Sequence, residues 1–413
     1  MRIKFEEINT GEVGVILNAL HPIVESNKEA LLVQLITLFG NCIGRTAYFT
    51  AAADKHYTNL FTIIVGQSSR GRKGQSLNMV KSLFVDACPE WANHCIKKGL
   101  SSGEGLIAHI KDKDNDNILT AELPFLENPV RADDKRLLIT ESEFSSVLKM
   151  TQREGNILSQ VLRDAWDGVR LETMTKNSPL CATDPMVSMV GHITIAELIR
   201  FLNSTEIANG LGNRCVFIKA ASDKKLPNPE PLAADLKKYF VNYLVSVVGR
   251  AKDIGRMDFD QKAANYWFQL YNKISSNDSS IVGTLTARQE AQIRRLAMII
   301  ALINGKSVID FDSLIFAEKI FDYSIETLKE IYGESMGDPL TDKILDLLRS
   351  SDNGLSRSSI SEKLNKNYHK GNIECSLKIL ESQGLISRKK IETAGRPTEI
   401  INYNDRTDTK KTN

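Results

Sequence analysis

The sequence lacks the features that would place it in a membrane or in an oxidising compartment. No apolar run approaches the roughly 20 residues that a spanning helix needs, and the first residues contain no apolar signal-peptide core. The six cysteines are scattered and form no C-x-x-C motif, which argues against a disulfide framework and against a zinc ribbon. We therefore expect a reduced, cytoplasmic protein with no membrane partner.

The chain also lacks an excess of charge of either sign. Its formal net charge is only +2, so the whole molecule cannot enclose nucleic acid by charge alone, and any such contact must come from local patches. Its 413 residues are 42% hydrophobic and 25% charged, which is ordinary for a soluble globular protein. This length predicts two or three domains.

Residues 60–76 carry the clearest chemical signal. Residues 61–65 predict a buried strand, a loop rich in glycine and serine follows, and residues 77–85 predict an amphipathic helix. Strand, glycine-rich turn and helix is the layout that directs backbone N–H groups and a helix N-terminus at a polyphosphate. The predicted nucleotide-binding residues are Gly66, Gln67, Ser68, Ser69, Arg70, Gly71, Arg72, Lys73, Gly74, Gln75 and Ser76.

This loop departs from the phosphate-loop pattern G-x-x-x-x-G-K-[ST]. The two glycines of the pattern are correctly spaced, but Arg72 stands at the lysine position and Lys73 comes one residue later. Gly74 replaces the metal-binding hydroxyl, which leaves Ser76 as the nearest hydroxyl for a Mg²⁺ ion. The alternative interpretation is a strand-to-helix turn with solvated cations.

Two carboxylates follow a second predicted strand. Residues 137–139 are apolar, Glu141 and Glu143 come next, and Thr140 stands where an aspartate usually precedes the acid. In phosphate-loop enzymes such acids support the Mg²⁺ shell and polarise the attacking water. If the strand continued through residue 143, alternation would place both carboxylates on one face. Two solvated acids at a strand end are the alternative.

Strands alternate with helices as far as residue 219, which is typical of an α/β layered domain. Further strands are predicted at residues 47–52, 186–191 and 215–219, and residues 169–183 predict a β-hairpin with Lys176 at its turn. From residue 232 the pattern is helical. Long helices are predicted at 285–305 and 308–333, capped by Thr284 or Thr286 and by Asp310 or Asp312.

The residues from 337 onward predict a separate small domain. Helices near 340–350, 358–365 and 372–383 precede two strands at 385–391 and 399–403, the arrangement of a winged helix-turn-helix. Protein docking is the alternative use of such a domain. The predicted DNA-binding cations are Lys378 in the third helix and Arg388, Lys389, Lys390 and Arg396 in the wing.

Several motifs, in a consistent order, resemble a family of phosphate-loop ATPases carried by phages, plasmids and other mobile elements, which includes replicative helicases. They are LFTIIVGQSSRGRKGQS, LLITESEF, SQVLRDAWDG, TKNSPL, GHITIAELIRFL, ANGLGNR and RQEAQIRRLAMIIALING. The later part is similar to the AAA+ module of minichromosome-maintenance helicases. The resemblance covers about residues 10–400.

The resemblance implies an α/β P-loop AAA+-like core with a helical N-terminal segment, a helical lid and a C-terminal winged helix-turn-helix. The expected divisions are a helical segment at 1–58, the P-loop core at 59–226, the lid at 227–336, the winged-helix domain at 337–404 and a disordered tail at 405–413.

The resemblance also implies residue roles. His192 would stand where the first sensor usually has asparagine, Arg214 would be the arginine finger and Arg288 the second sensor. Lys176 would be the hairpin-tip residue that meets DNA in the ring pore. The alternatives are a hydrogen-bonded core histidine, a surface cation after a turn and a solvated hairpin tip. Arg288 is unfavourably placed for the dipole of the helix it opens, which suggests an anion partner.

The expected function is that of an ATP-dependent DNA helicase or translocase, a hydrolase acting as a homo-oligomeric, hexameric ring in DNA replication of a mobile genetic element. ATP and Mg²⁺ would be its cofactors. Lys73 would contact the phosphates, Ser76 and Glu141 the metal, Glu141 or Glu143 the attacking water, and Arg214 a neighbour's γ-phosphate. Priming would need a separate primase or polymerase. The alternative is a non-hydrolysing, nucleotide-switched origin-binding initiator or regulatory DNA-binding protein.

Overall fold

The computed structural model describes residues 3–66, 73–112, 134–175, 179–221, 224–274, 278, 280–333, 335–336, 338–351, 353–382, 384–391 and 398–404, with the side chains of residues 73, 391 and 398 left out. The predictions for Gln67, Ser68, Ser69, Arg70, Gly71, Arg72, Lys176, Arg396 and the tail at 405–413 lie outside the described residues. The chain divides into two compact units, residues 1–276 with 285–331, and residues 277–284 with 332–413.

Helices make up most of the regular structure. They are α1 (Gly11–Leu20), α2 (Lys28–Ile43), α3 (Lys73–Ala87), α4 (Pro89–Cys95), α5 (Gly103–His109), α6 (Phe144–Thr151), α7 (Leu158–Asp167), α8 (Ile195–Phe201), α9 (Ser204–Ala208), α10 (Ala234–Lys252), α11 (Gln261–Ile274), α12 (Ile281–Leu285), α13 (Gln289–Ile303), α14 (Phe311–Tyr332), α15 (Pro339–Arg349), α16 (Arg357–Lys363) and α17 (Lys370–Ser382). None of these helices has the length and apolarity needed to cross a membrane.

The strands are shorter. They are β1 (Tyr48–Ala51), β2 (Asp54–Tyr57), β3 (Phe61–Val65), β4 (Ile96–Lys97), β5 (Arg136–Glu141), β6 (Leu171–Glu172), β7 (Cys181–Ala182), β8 (Met186–Ile193), β9 (Cys215–Lys219), β10 (Arg256–Met257), β11 (Leu355–Ser356), β12 (Ile386–Ile391) and β13 (Thr398–Tyr403).

A five-stranded parallel sheet, in the order β4-β5-β8-β3-β9, forms the centre of the larger unit. Every residue of β3 and β8 is buried, as expected for parallel strands covered on both faces. Helix α2 packs across four of the strands on one face, with α3, α10 and α13 against it. Helices α6 and α7 pack against β8. The predicted α/β class is therefore confirmed.

All five strands of this sheet end on the same side, which we call the carboxyl edge, and begin on the opposite side, the amino edge. In register, Phe61 of β3 lies level with Cys215 of β9, and Val65 with Lys219. Glu141 of β5 lies level with Gly191 of β8. The two edges consequently carry different residues of the predicted site.

One local prediction in the larger unit is wrong. The single helix expected at 285–305 is divided into α12 and α13, and Arg288 stands at the N-cap position of α13, where Thr284 or Thr286 was expected. The strand expected at 47–52 is confirmed as β1, which pairs with β2 and β10 in a separate sheet from the one that contains β3. By contrast, Asp310 does accept from the backbone N–H of Ser313 at the start of α14.

The smaller unit contains α15, α16 and α17 and an antiparallel sheet in the order β11-β13-β12. Its core is formed by leucine and isoleucine side chains of the three helices and the sheet, among them Ile344, Leu377 and Ile401. The three helices and the hairpin were predicted. The short strand β11 was not, because two residues carry no readable alternation.

Candidate functional site

Gly66 directly follows β3, the strand that leads into the predicted phosphate loop, and it lies between the ends of β8 and β9. Its N–H donates to the carbonyl of Ile193, 3.1 Å away at the end of β8. A Cβ atom at this position would lie 2.8 Å from the carbonyl oxygen of Ala220, just after β9. The close approach therefore requires glycine, and it positions the start of the loop at the middle of the carboxyl edge.

The next described residue after Gly66 is Lys73, which is the first residue of helix α3 and lies seven positions later in the sequence. Ser76, in its first turn, is fully buried, whereas Gly74 is exposed and has open space where a Cβ would stand. Helix α2 also begins near this edge, because Asn27, the residue before it, donates to the carbonyl of Lys219 at the end of β9. Two helix N-termini therefore lie near the carboxyl edge.

The two predicted acids do not share a strand face. Strand β5 ends at Glu141, so the alternation expected if it continued to residue 143 does not apply, and the exposed Glu143 instead precedes α6. Glu141 Oε1 accepts from the backbone N–H groups of Gly99, at 2.7 Å, and Leu100, at 2.8 Å. Glu141 therefore lies on the carboxyl edge, bound to the loop that follows the edge strand β4.

His192 lies inside the protein, against α2. It is 3% exposed, and its Nε2 lies 3.4 Å from Nε2 of Gln34. The adjacent residue Gly191 faces Phe144 of α6 on the opposite side of the sheet. Because Glu141 is level with Gly191, the side chains of His192 and Glu141 point to opposite faces.

The two predicted arginines lie together, on the amino edge. Arg214 Nη2 lies 2.5 Å from Asp167 Oδ2, and Arg288 Nη1 lies 3.0 Å from Asp167 Oδ1. Arg214 also donates to the carbonyl of Gly210 at 2.8 Å. Since Arg214 directly precedes Cys215, which is level with Phe61, it lies six residue steps of strand from the level of Gly66, about 20 Å.

Trp166 and Arg295 complete this group, which we call the arginine cluster (Arg214, Arg288, Arg295, Trp166 and Asp167). The guanidinium carbon of Arg214 lies 5.7 Å from the centre of the indole ring, that of Arg288 lies 5.3 Å from it and that of Arg295 lies 3.7 Å from it. Arg295 is 1% exposed, and its Nη1 donates to the carbonyls of Asn59 and Trp166. Cation–π contact with tryptophan is favourable and strengthens as water is removed.

Burial and mutual repulsion shift the pKa values of this region. Burial lowers the pKa of Arg295 to about 9, with Asp167 acting in the opposite direction and the neighbouring arginines adding to the effect. Burial also lowers the pKa of Arg288, which Asp167 raises and Arg214 lowers. Nearby His56 has its pKa lowered to about 4, first by burial and then by Arg295 and other arginines. The cluster is therefore a region of positive potential.

Sequence reasoning did not find Trp166, Asp167 or Arg295. Trp166 and Asp167 stand in the motif SQVLRDAWDG, and Arg295 follows another arginine at the start of an apolar helical run. A cationic residue directly beside the apolar positions of a predicted helix is a sequence signal that could have indicated a buried arginine. Only the packing of α13 against the start of β3 shows which carbonyls it meets.

The predicted DNA-binding cations of the smaller unit have different environments. Lys378, Lys389 and Lys390 are exposed. The side chain of Arg388 is only 12% exposed and lies within 3.0 Å of Glu374, 2.9 Å of Glu381 and 3.6 Å of Glu399. Arg388 is thus an internal ion-pair partner that holds α17 to the sheet, which removes it from the cations available to DNA.

The structure brings Gly66, the start of α3 and Glu141 to one edge and Arg214 and Arg288 to the other, with His192 buried between α2 and the sheet. Within the described residues, no group of three or more His, Cys, Asp or Glu side chains is arranged to hold a metal ion by itself. No protein-family model matches the chain, and no curated protein matches it significantly.

Proposed function

We propose that this protein is an ATP-dependent, DNA-acting helicase or translocase that binds its nucleotide at the carboxyl edge of the larger unit. The observation that carries the proposal is the position of Gly66. Strand β3 ends just before it, its contact with Ala220 requires glycine, and a glycine- and serine-rich sequence leads from it to the N-terminus of helix α3. Ligands of α/β sheets bind outside the carboxyl ends of the strands.

The residues at this edge suit a triphosphate with Mg²⁺. The N-termini of α2 and α3 carry partial positive charge, which favours phosphate oxygens. Lys73 opens α3, and Ser76 and Glu141 would complete the metal's oxygen shell. Both backbone bonds to Glu141 use Oε1, so its second oxygen can serve the metal or its waters. Bound Mg²⁺ would neutralise charge that develops on the phosphates.

The position of the arginines supports the proposal that the protein assembles into a ring. Arg214 lies on the amino edge, about 20 Å from the level of Gly66, and Arg288 shares its partner Asp167, so neither can contact a phosphate bound by their own loop. A head-to-tail interface repeated around a closed ring would bring the amino edge of one copy to the nucleotide of the next. Arginines supplied in this way stabilise the charge of the transferring phosphoryl group.

The smaller unit would supply a contact with DNA in addition to the contact expected of Lys176. Its three helices and hairpin suit a winged helix-turn-helix, and exposed Lys378, Lys389 and Lys390 offer contacts to phosphates. With Arg388 used internally, these lysines and Arg396 are the remaining predicted cations.

One observation favours the non-hydrolysing initiator as a second candidate. Glu141 is engaged by two backbone N–H groups, and both arginines are engaged by Asp167, an arrangement that suits a switch between two assembly states.

Steady-state ATP hydrolysis with and without single-stranded DNA separates the two candidates. A helicase or translocase hydrolyses ATP faster when DNA is present, and Lys73→Ala removes that activity. Lys81→Ala, a change farther along the same helix, serves as the matched control and should hydrolyse ATP normally. ATP binding with no DNA-stimulated hydrolysis would support the initiator, and absence of both would refute the nucleotide site.

A further inference from the structure

The arginine cluster contains more cationic donors than its single shared carboxylate can satisfy. Asp167 contacts both Arg214 and Arg288, while Arg295 lies behind the same indole ring. Arg45, which donates to the carbonyl of Gly168, has its own partner in Asp184. One carboxylate therefore pairs with two guanidinium groups, and a third guanidinium group lies against the same indole ring.

Several buried donors of this group have no acceptor within the described part of the chain. They are Nε of Arg214, Nε of Arg295 and Nε1 of Trp166. Arg214 is more than nine-tenths buried, and a buried donor without an acceptor is unfavourable. The local excess of donors over acceptors is what an anion-binding site has when its anion is absent.

The cluster can also be reached from the surface. The side chains of Arg288 and Asp167 are 37% and 29% exposed, in contrast to 8% for Arg214. Asp167 is the last residue of α7 and precedes Gly168, which has a left-handed conformation with φ of 74°. The carboxylate therefore stands at a helix end, where a rotation of the side chain can free both arginines without unwinding the helix.

We infer that Arg214 and Arg288 form a phosphate acceptor, that Asp167 fills it in the free chain, and that a phosphate group of a nucleotide held by a second copy of the chain displaces Asp167. A phosphate carries more charge and more acceptor oxygens than a carboxylate, so it satisfies two arginines better. Asp167 is then a positioning residue that keeps the arginines together until the neighbour arrives. The identity of the second copy's nucleotide rests on the proposed function, whereas the acceptor itself does not.

Pyrophosphate binding to the full-length chain tests the acceptor without any hydrolysis. The titration is followed by calorimetry and by the fluorescence of Trp166, and Trp166→Phe identifies the cluster's part of the signal. Asp167→Asn should bind pyrophosphate about tenfold more tightly than the wild type, because a competing charge is removed. Glu90→Gln, at an exposed position on α4, is the matched control and should bind as the wild type does.

Two further variants keep the test decisive. Asp167→Asn combined with Arg214→Ala should lose the added affinity. If Asp167→Asn does not fold, Arg288→Gln in the wild-type background should still weaken the Trp166-detected binding. Equal affinities in the wild type, Asp167→Asn and Glu90→Gln would overturn the acceptor, as would tight binding that survives the loss of Arg214.

The source of the phosphate is tested by the dependence of ATP hydrolysis on protein concentration. Asp167→Asn should reach half-maximal specific activity at a lower protein concentration than the wild type, because its arginines are already free for the neighbour. An unchanged concentration dependence would refute the neighbour's nucleotide as the source of the phosphate. So would a competition experiment in which a short DNA duplex displaces bound pyrophosphate and ATP-loaded Arg214→Ala protein does not. If no variant hydrolyses ATP while pyrophosphate still binds through Arg214, the proposed function fails and the acceptor stands.

Discussion

Arg214 and Arg288 are 74 positions apart in the sequence, yet they bind the two oxygens of one carboxylate, that of Asp167. The resemblance to AAA+ helicases implies separate roles for them, an arginine finger for Arg214 and a second sensor for Arg288. Their common partner lies on the amino edge of the sheet, away from Gly66. The pair can therefore act on a phosphate only if another molecule brings that phosphate to it.

Electrostatics explains why an anionic side chain beside Arg288 is favourable. A cation at the start of a helix is repelled by the helix dipole, and α13 begins directly after Arg288. Asp167 offsets that repulsion and also pairs with Arg214. The sequence-based expectation of an anion near Arg288 is thus met by a residue of the same chain.

Lys73 is predicted to be the lysine that contacts the phosphates. Lys73→Ala should reduce ATP hydrolysis by about a hundredfold or more, since it removes a charge aimed at the transferring group. Arg72→Ala should leave hydrolysis largely intact. Steady-state assays on both variants check this, and the reverse pattern would show that Arg72 is the catalytic cation of the loop.

Arg214 is predicted to act on a neighbouring subunit. Arg214→Ala and Lys73→Ala proteins, each inactive alone, should regain activity when mixed. In an equal mixture about one interface in four combines an intact loop with an intact arginine, so about a quarter of the wild-type rate is expected. No recovery in mixtures that still form rings would count against a shared site.

Gly66 is predicted to tolerate no side chain. Gly66→Ala should lower the free energy of unfolding by about 1–3 kcal/mol, because its Cβ would lie 2.8 Å from a backbone carbonyl. Gly74→Ala is the control, since open space surrounds that position in α3, and it should raise the free energy of unfolding by up to about 1 kcal/mol. Urea unfolding measures both, and equal effects would contradict the close contact.

His56 is predicted to make stability depend on pH. Its pKa is lowered to about 4 by burial and by nearby arginines, so between pH 6.5 and 4 the unfolded chain binds a proton that the folded chain does not. Stability should therefore fall as pH falls through this window, by about 1–3 kcal/mol. Unfolding midpoints of the wild type at pH 7.5 and 4.5 should differ more than those of His56→Gln. Exposed His94, changed to Gln, is the control and should behave as the wild type does.

The wing lysines and Arg388 are predicted to have different roles. Neutralising Lys389, Lys390 and Arg396 together should flatten the log–log dependence of DNA affinity on salt by about two to three units, at about 0.9 per phosphate contact. It should also weaken binding to all duplex sequences about equally. Titrations of full-length protein at several salt concentrations measure this, and an unchanged slope would assign the smaller unit to protein contact.

Arg388→Met, by contrast, should leave the salt slope unchanged and destabilise the smaller unit by about 1–3 kcal/mol, because Glu374, Glu381 and Glu399 lose their shared partner. Arg349→Met, at a more exposed pair with Asp346, should cost less than about 1 kcal/mol.

The sequence by itself determined the local architecture. Apolar periodicity and turn residues indicated β3, β5, β8 and β9, the helices of the smaller unit and the α/β class, because these features depend on residues close together in the chain. The same local patterns located Gly66 at the end of a strand. The roles assigned to Lys73, Ser76 and His192 stay predictions, since residue type and spacing do not establish chemistry.

The tertiary structure alone decided which charges meet. Because strand β5 ends at Glu141, Glu143 does not lie on the strand face that was expected for it. Arg388 forms ion pairs with three glutamates of its own unit. Arg214, Arg288 and Arg295 meet at Trp166 and Asp167 because sheet order and helix packing join segments that are far apart in the sequence. Such contacts depend on how distant segments pack together, so the local periodicity of the sequence does not predict them.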